Sequence, residues 1–169
     1  GGTKATAISG NRYMQFTVSA KSGFKVSLST LDARLRRTST GPNAYIWRYS
    51  VDGTNFTDIG SDISFTSTAD GVDQTQIDLS GITALQNVAT GTTITMRIYM
   101  WGAITNTSGT FAVGRYGNGV TTNCLSIGGT VAALATAPTV LTTTATSITT
   151  TGASSGGNVT SDGGASLNA

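Results

Sequence analysis

Aromatic residues are concentrated in two short segments of the chain, and their spacing suggests a ligand-binding surface. They alternate with other residues in each segment and are Tyr45, Trp47 and Tyr49 in the first and Tyr99 and Trp101 in the second. Residues two apart on a strand point to the same face. Flat rings on one face can stack on successive sugar rings while polar neighbours hydrogen-bond the hydroxyls. The pattern predicts a carbohydrate-binding surface that includes Trp47, Tyr49, Tyr99 and Trp101.

The alternative for these rings is packing in a protein core, because Trp and Tyr in central strands commonly fill a sandwich interior. We expect Trp47 to lie mostly inside. Trp101 ends its segment and precedes Gly102, so it is the ring that we expect to be more exposed.

Arginines form a second group of candidates, namely Arg34, Arg36, Arg37, Arg48 and Arg97. One interpretation is a solvated sheet face on which the aliphatic stems cover neighbouring side chains. Arg48 and Arg97 differ from the others because each lies among apolar residues. Since an unpaired buried guanidinium is costly, we expect one of them to be buried and paired to Asp32 or Asp78. Both are also candidate ligand-binding residues, and binding of an acidic polysaccharide is a further alternative.

Metal binding would have to rely on aspartate, because the chain has no His and all eight acidic residues are Asp. Asp70 and Asp73 are separated by Gly-Val, which weakly favours a structural calcium ion; simple turn formation is the alternative. No other cofactor is expected. The lack of His excludes Ser-His-Asp and Cys-His catalysis and nearly all zinc chemistry. Nothing marks an Asp pair for glycoside hydrolysis, so we expect no enzymatic activity.

The elements that must position these residues are strands, because hydrophobic residues alternate with polar ones almost throughout. Separate strands are predicted at 24–28 and 31–36, and an Asp52-Gly53 turn predicts a hairpin. Short strands separated by Gly, Asn and Asp turns indicate an all-β, antiparallel two-sheet β-sandwich with a jelly-roll-like arrangement. Only residues 83–88 suggest a helical turn. The expected core is Phe16, Val18, Phe24, Val26, Leu28, Leu35, Ile98 and Phe111.

The composition changes after residue 131 and predicts three parts. Residues 1–131 form the sandwich module, 132–138 a linker, and 139–169 a Thr- and Gly-rich tail with Asp162 as its single charge. The tail has strand-like pieces at 139–144 and 157–160 but too few large apolar residues for a core of its own. We therefore expect 139–144 to add as a strand to an open sandwich edge, in the same chain or a neighbouring one.

Two stretches resemble known families. The segment YMQFTVSAKSGFKVSLSTLDARLRRTSTGPNAYIWRYSVDGTNFTDI resembles a β-sandwich module of bacterial secreted and cell-surface multidomain proteins. The segment TTTATSITTTGASSGGNVTSDGGAS resembles the truncated start of a fibronectin-type-III-like or immunoglobulin-like repeat. The resemblance implies an extracellular or cell-surface bacterial protein, of the kind exported by the type IX route.

Two functions of different classes follow from these observations. The first is a noncatalytic extracellular module for adhesion or carbohydrate binding, with a polysaccharide or surface glycan as partner. The alternative is a structural assembly subunit or exported passenger held by β-strand complementation, with a protein partner or neighbouring subunit bound through the tail. The net charge of +2 gives no reason to expect a nucleic-acid partner, and no run of residues predicts membrane insertion.

Overall fold

The computed structural model describes residues 2–105, 108–116 and 122–164. It divides into two compact units, Gly1–Val131 and Ala132–Ala169. The last five residues of the predicted tail, 165–169, lie outside the described residues. Each unit is described by itself below.

The first unit consists mainly of strands joined by short turns. The helix α1 (Lys4–Ser9) precedes them. Where the sequence suggested a helical turn at 83–88, the structure has a 3₁₀ turn at Thr83–Leu85. The strands are β1 (Tyr13–Ser19), β2 (Phe24–Arg37), β3 (Ala44–Ser50), β4 (Thr57–Ser64), β5 (Val72–Asp73), β6 (Ile77–Asp78), β7 (Val88–Ala89), β8 (Thr93–Trp101), β9 (Phe111–Val113) and β10 (Leu125–Ala133).

These strands form two sheets. The first sheet is antiparallel with the order β1-β8-β3-β4. In the second sheet β5, β6, β7, β9 and β10 all pair with the long strand β2. Side chains from both sheets meet in one hydrophobic core, which confirms the predicted all-β antiparallel sandwich.

The predicted core is mostly right. Its members Val26, Leu28, Leu35 and Ile98 are buried, and Phe16, Val18 and Phe111 are half-buried against the same cluster. Phe24 is the exception, because its side chain is 42% exposed. It is the first residue of β2 and follows a turn at Gly23 (φ 80°), so it lies where the sheet ends.

Strand β2 is one continuous strand of 14 residues, not the two strands predicted at 24–28 and 31–36. The buried positions are even-numbered at Val26 and Leu28 and odd-numbered from Leu31 to Arg37. Such a change of face requires an irregularity of the bulge type. The sequence pattern is therefore broken at residues 29–30 although the strand continues.

Helix α1 was not expected from the sequence. Its Thr3 N-cap forms a capping box with Thr6, and the helix packs on β8 and buries Ala7. Six residues are too few to show a helical hydrophobic period, so the pattern was not recognisable. Among the described residues, no helix has the length and apolar character needed to cross a bilayer.

The second unit contains a β-hairpin of β11 (Thr139–Thr146) and β12 (Ser154–Ser161), paired antiparallel. Val140 lies opposite Val159, and every residue of both strands is exposed. The strand-like pieces predicted at 139–144 and 157–160 are thus strands. The partner of β11 in this structure is β12, and addition of 139–144 to an open sandwich edge, in the same chain or a neighbouring one, stays a prediction.

Burial of Tyr45 generates a prediction about alkaline unfolding. The side chain is 1% exposed and its hydroxyl donates to Oε1 of Gln74 at 2.8 Å. Burial raises the pKa of Tyr45 from 10.0 to about 12. The native state therefore keeps a proton that the unfolded chain loses, so this contribution is complete below pH 10 and is lost as the pH rises toward 12.

The variant Tyr45→Phe has no phenol to ionise at this position. We expect it to lose about 1 kcal/mol at neutral pH through the missing hydrogen bond. Between pH 10 and 12, its free energy of unfolding should fall by about 2–3 kcal/mol less than that of the wild type. Urea titrations across this range measure both quantities. Parallel pH profiles for the two proteins would contradict the prediction.

Candidate functional site

A row of polar side chains crosses the first sheet on the face away from the core. Strand register places Gln15 opposite Arg97, Arg97 opposite Arg48, and Arg48 opposite Asp58. Two arginines are thus direct cross-strand neighbours, an arrangement that is unfavourable unless each charge has its own partner. The two arginines find different partners.

Arg97 lies between two aromatic rings. The centre of its guanidinium is 4.0 Å from the Tyr13 ring centroid and 3.9 Å from the Phe56 centroid. Its Nε donates to Oε1 of Gln15 at 2.8 Å, and Nη1 donates to the Tyr99 hydroxyl at 3.1 Å. Within the described part of the chain no carboxylate pairs with Arg97, so the faces of the two rings and neutral acceptors stabilise its charge.

Arg48 instead pairs with Asp58. Its Nε lies 2.6 Å from Oδ1 of Asp58, and the other carboxylate oxygen lies 2.6 Å from Nζ of Lys4. Lys4 also contacts Asp62 at 2.6 Å, and the hydrogen bonds that Lys4 donates to Asp58 and Asp62 raise its pKa. The Arg48 side chain is 17% exposed.

Arg48 is therefore paired to an aspartate as we expected, but it is half-buried and not buried, and the predicted partners Asp32 and Asp78 were wrong. Asp32 accepts from Gln76, and Asp78 accepts from Ser80. The register of β3 on β4 places Asp58 opposite Arg48, and register could not be read from composition.

The four aromatic candidates divide by burial. Trp47 is 3% exposed, as we predicted, and meets the Phe16 ring edge-on in the core; Tyr99 is 2% exposed. Tyr49 and Trp101 are half-buried. Only the half-buried rings retain surface that a ligand could reach in this arrangement. Ligand binding by any of the four stays a prediction.

Arg37 is a structural residue that the sequence analysis missed. It is 8% exposed and follows Leu35 on the inward face of β2. Its guanidinium donates to four backbone carbonyls, those of Ser39 (2.9 Å), Gly41 (2.7 Å), Pro42 (2.7 Å) and Thr66 (3.1 Å). The interpretation of Arg37 as part of a solvated face was wrong. The alternation could have predicted its burial, because Arg37 continues the odd-numbered positions of β2 that point to the core.

The loop around Arg37 is packed closely. Gly41 is buried, and a Cβ there would lie 2.1 Å from the carbonyl oxygen of Thr110. Glycine is therefore required for this approach of two backbones. Arg37 and Gly41 together fix the loop that leads into β3.

A polar cleft of about 140 Å³ lies on the outer face of the second sheet. We call it the Tyr116 cleft; its lining includes Asp32, Arg34, Asp73, Gln74, Tyr116, Asn123 and Cys124. The Arg34 guanidinium lies 4.3 Å from the centroid of the Tyr116 ring and 3.0 Å from Oδ2 of Asp73. The Tyr116 hydroxyl donates to Oδ1 of Asp73 at 3.0 Å. These three groups hold one another in place at the cleft wall.

Hydrogen bonds hold two side chains of the cleft lining, Gln74 and Asp73, in place. Gln74 receives the hydrogen bond from buried Tyr45 and donates its own side-chain N–H to the carbonyl of Val72 at 2.8 Å. Hydrogen bonds from Arg34, and secondarily from Tyr116, lower the pKa of Asp73. The cleft was not predicted, because its residues come from separate segments that only the fold brings together.

The calcium candidates Asp70 and Asp73 are both engaged by arginine. Asp70 lies 3.5 Å from Arg36 and 3.4 Å from Arg115, while Asp73 is held by Arg34. Within residues 2–105, 108–116 and 122–164, no group of three or more metal-ligating side chains occurs. Calcium binding stays a prediction.

Comparison with known proteins adds no assignment to this geometry. No protein-family model, curated protein or solved structure matches the chain.

The four carbonyls that accept from Arg37, which we call the carbonyl cage, predict that substitutions at Arg37 and at neighbouring Arg36 differ strongly in their effect on stability. Arg37→Lys keeps the charge but cannot reach four carbonyls with one ammonium. We expect it to lower the free energy of unfolding by about 2–4 kcal/mol, since buried carbonyls lose their donors. Arg36→Lys is the matched control, because its side chain is 42% exposed and should change stability by less than about 0.5 kcal/mol. Equal effects in urea unfolding would contradict the cage.

The two aspartates that contact Lys4 offer a second matched pair. Asp58→Asn removes the carboxylate that pairs with Arg48, so we expect a loss of about 1–3 kcal/mol. Asp62→Asn leaves Arg48 paired, and the Asp62 side chain is 49% exposed; its effect should stay below about 1 kcal/mol. Thermal unfolding of the two variants measures the difference in stability. A larger loss of stability for Asp62→Asn than for Asp58→Asn would contradict a stabilising role of the Arg48–Asp58 pair.

Proposed function

We propose that this chain is a noncatalytic extracellular module of a bacterial surface or secreted protein, that it serves adhesion through carbohydrate binding, and that the Tyr116 cleft is its saccharide site. The observation that carries the proposal is the arrangement in that cleft. One aromatic ring, one guanidinium and several carboxylate and amide groups border a half-open space. Sugars are recognised by this combination of a ring face and planar hydrogen-bonding groups.

The wall of the cleft is arranged before any ligand arrives. Tyr116, Arg34 and Asp73 contact one another at 3.0–4.3 Å. A fixed wall lowers the entropy that binding must overcome. Asp32 and Asn123 complete the lining and offer oxygen and amide groups to sugar hydroxyls. A space of about 140 Å³ is small for a ligand pocket, which favours one sugar unit of a longer chain.

The charge state of the cleft supports binding without catalysis. A glycosidase needs one carboxyl group that stays protonated to act as general acid. The pKa of Asp73 is lowered, chiefly by Arg34, which is the opposite of what that role requires. The absence of His from the sequence removes the usual alternative base.

The extracellular location is supported by the sequence resemblance. Residues 13–59 resemble a jelly-roll-like module of bacterial cell-surface proteins, and the Thr-rich segment resembles the start of an immunoglobulin-like repeat. A module followed by such repeats is suited to display on a cell surface.

The test uses affinity electrophoresis of the full chain in gels containing neutral and acidic polysaccharides. We expect at least one polysaccharide to retard the wild type and expect Tyr116→Ala to weaken binding by about tenfold or more, which corresponds to about 1.4 kcal/mol. Tyr116→Phe keeps the ring over Arg34 and should retain most of the affinity. Absence of retardation by every polysaccharide would refute carbohydrate binding.

Trp101→Ala separates the two candidate surfaces. This variant alters the half-buried ring favoured by the sequence and leaves the Tyr116 cleft intact. We expect it to bind like the wild type. If Trp101→Ala abolishes binding and Tyr116→Ala does not, the chain binds carbohydrate but the site lies on the first sheet.

A further inference from the structure

The β11–β12 hairpin has no third strand beside it in the described part of the chain. All residues of both strands are exposed, among them Val140 (55%), Leu141 (61%) and Val159 (45%). An isolated two-stranded hairpin is marginally stable in water, because it pairs only half of its backbone groups and buries little apolar surface. The hairpin therefore gains from any strand that pairs with its free edge.

The edges of this hairpin lack two of the usual protections against strand pairing, which are charged residues and proline. Residues 139–161 contain no charged residue and no proline. The edge strand β4 of the sandwich is different. It bears Asp58 and Asp62, has Gly60 at φ 70°, and shows a register irregularity where β3 pairs with it. Charges and bulges of this kind prevent edge-to-edge association. The hairpin has register shifts between Thr139 and Val140 and between Thr143 and Thr146, but residues 140–143 pair in regular register and carry no charge.

Of the two edges, β11 is the better template. Its sequence TVLTTTAT is rich in β-branched residues, whereas β12 contains Gly156 and Gly157 in succession. β-Branched residues favour the extended strand, and glycine weakens it.

We propose that two copies of the chain associate by antiparallel pairing of their β11 strands, which gives a four-stranded sheet of order β12-β11-β11-β12. Antiparallel pairing of identical strands is two-fold symmetric and closes on itself as a dimer. An uncharged edge opposes an identical uncharged edge, so no like charges meet within the paired segments. With Thr142 at the two-fold axis, Leu141 lies opposite Thr143 of the other copy and Val140 opposite Thr144, so both exposed apolar side chains gain cross-strand neighbours.

This pairing is independent of the Tyr116 cleft, and the two proposals can fail separately. The cleft belongs to the first unit and the hairpin to the second.

The experiment is sedimentation velocity of the full chain from low micromolar to several hundred micromolar. We expect a reversible dimer for the wild type. Thr142→Lys places a charge in the middle of the exposed β11 edge and should weaken the dimer by at least tenfold. Thr151→Lys is the matched control, since it adds the same charge to the exposed residue 151 between the strands and should leave the dimer unchanged. A wild type that stays monomeric throughout, or equal weakening by the two variants, would overturn the proposal.

Disulfide trapping gives a second readout that does not depend on tolerance of the lysine. In a Cys124→Ser background, we expect Thr142→Cys to form covalent dimers on mild oxidation, because symmetric pairing brings the strand centres of two copies together. Thr151→Cys should not form them. Association without trapping at residue 142 would show that another surface joins the copies, and would also overturn the pairing of β11 strands.

Discussion

The second sheet depends on a single strand, since five others pair with β2. One face of β2 supplies Leu31 and Leu35 to the core, and the other face presents Arg34 to the cleft. The same strand ends at Arg37, whose guanidinium holds the following loop. The alternation of side chains along residues 31–37 of β2 therefore positions core, cleft and loop together. A shift of the strand register by one residue would turn the core side chains to solvent and the outer side chains to the interior.

In the first sheet Arg48 lies directly opposite Arg97, and two like charges in such positions are unfavourable unless each has its own partner. One charge is neutralised by Asp58 and the other is enclosed by the rings of Tyr13 and Phe56. Both arginines are half-buried, so each needs a partner to offset lost hydration. Of the candidate ligand-binding residues, Arg48 and Arg97 are thus engaged by Asp58, Tyr13, Phe56 and Tyr99.

Local patterns in the sequence were sufficient for the fold class and insufficient for the sites. Alternation correctly placed Val26, Leu35 and Trp47 inside, because burial on one face of a sheet imposes a period of two. It failed at Phe24, where the strand ends. Pairings between distant residues, such as Arg48 with Asp58, depend on strand register, which local patterns do not specify. The Tyr116 cleft joins separate segments for the same reason, and the jelly-roll-like connectivity stays a prediction.

The close approach of Gly41 to Thr110 has an evolutionary consequence. Surface loops are ordinarily where related modules diverge, but this loop is tied to Arg37 and has no room for a Cβ. Substitution of either residue alone leaves carbonyls without donors or forces two backbones apart. Arg37 and Gly41 should therefore be inherited together, and diversification of the module should be concentrated in loops that the guanidinium does not hold.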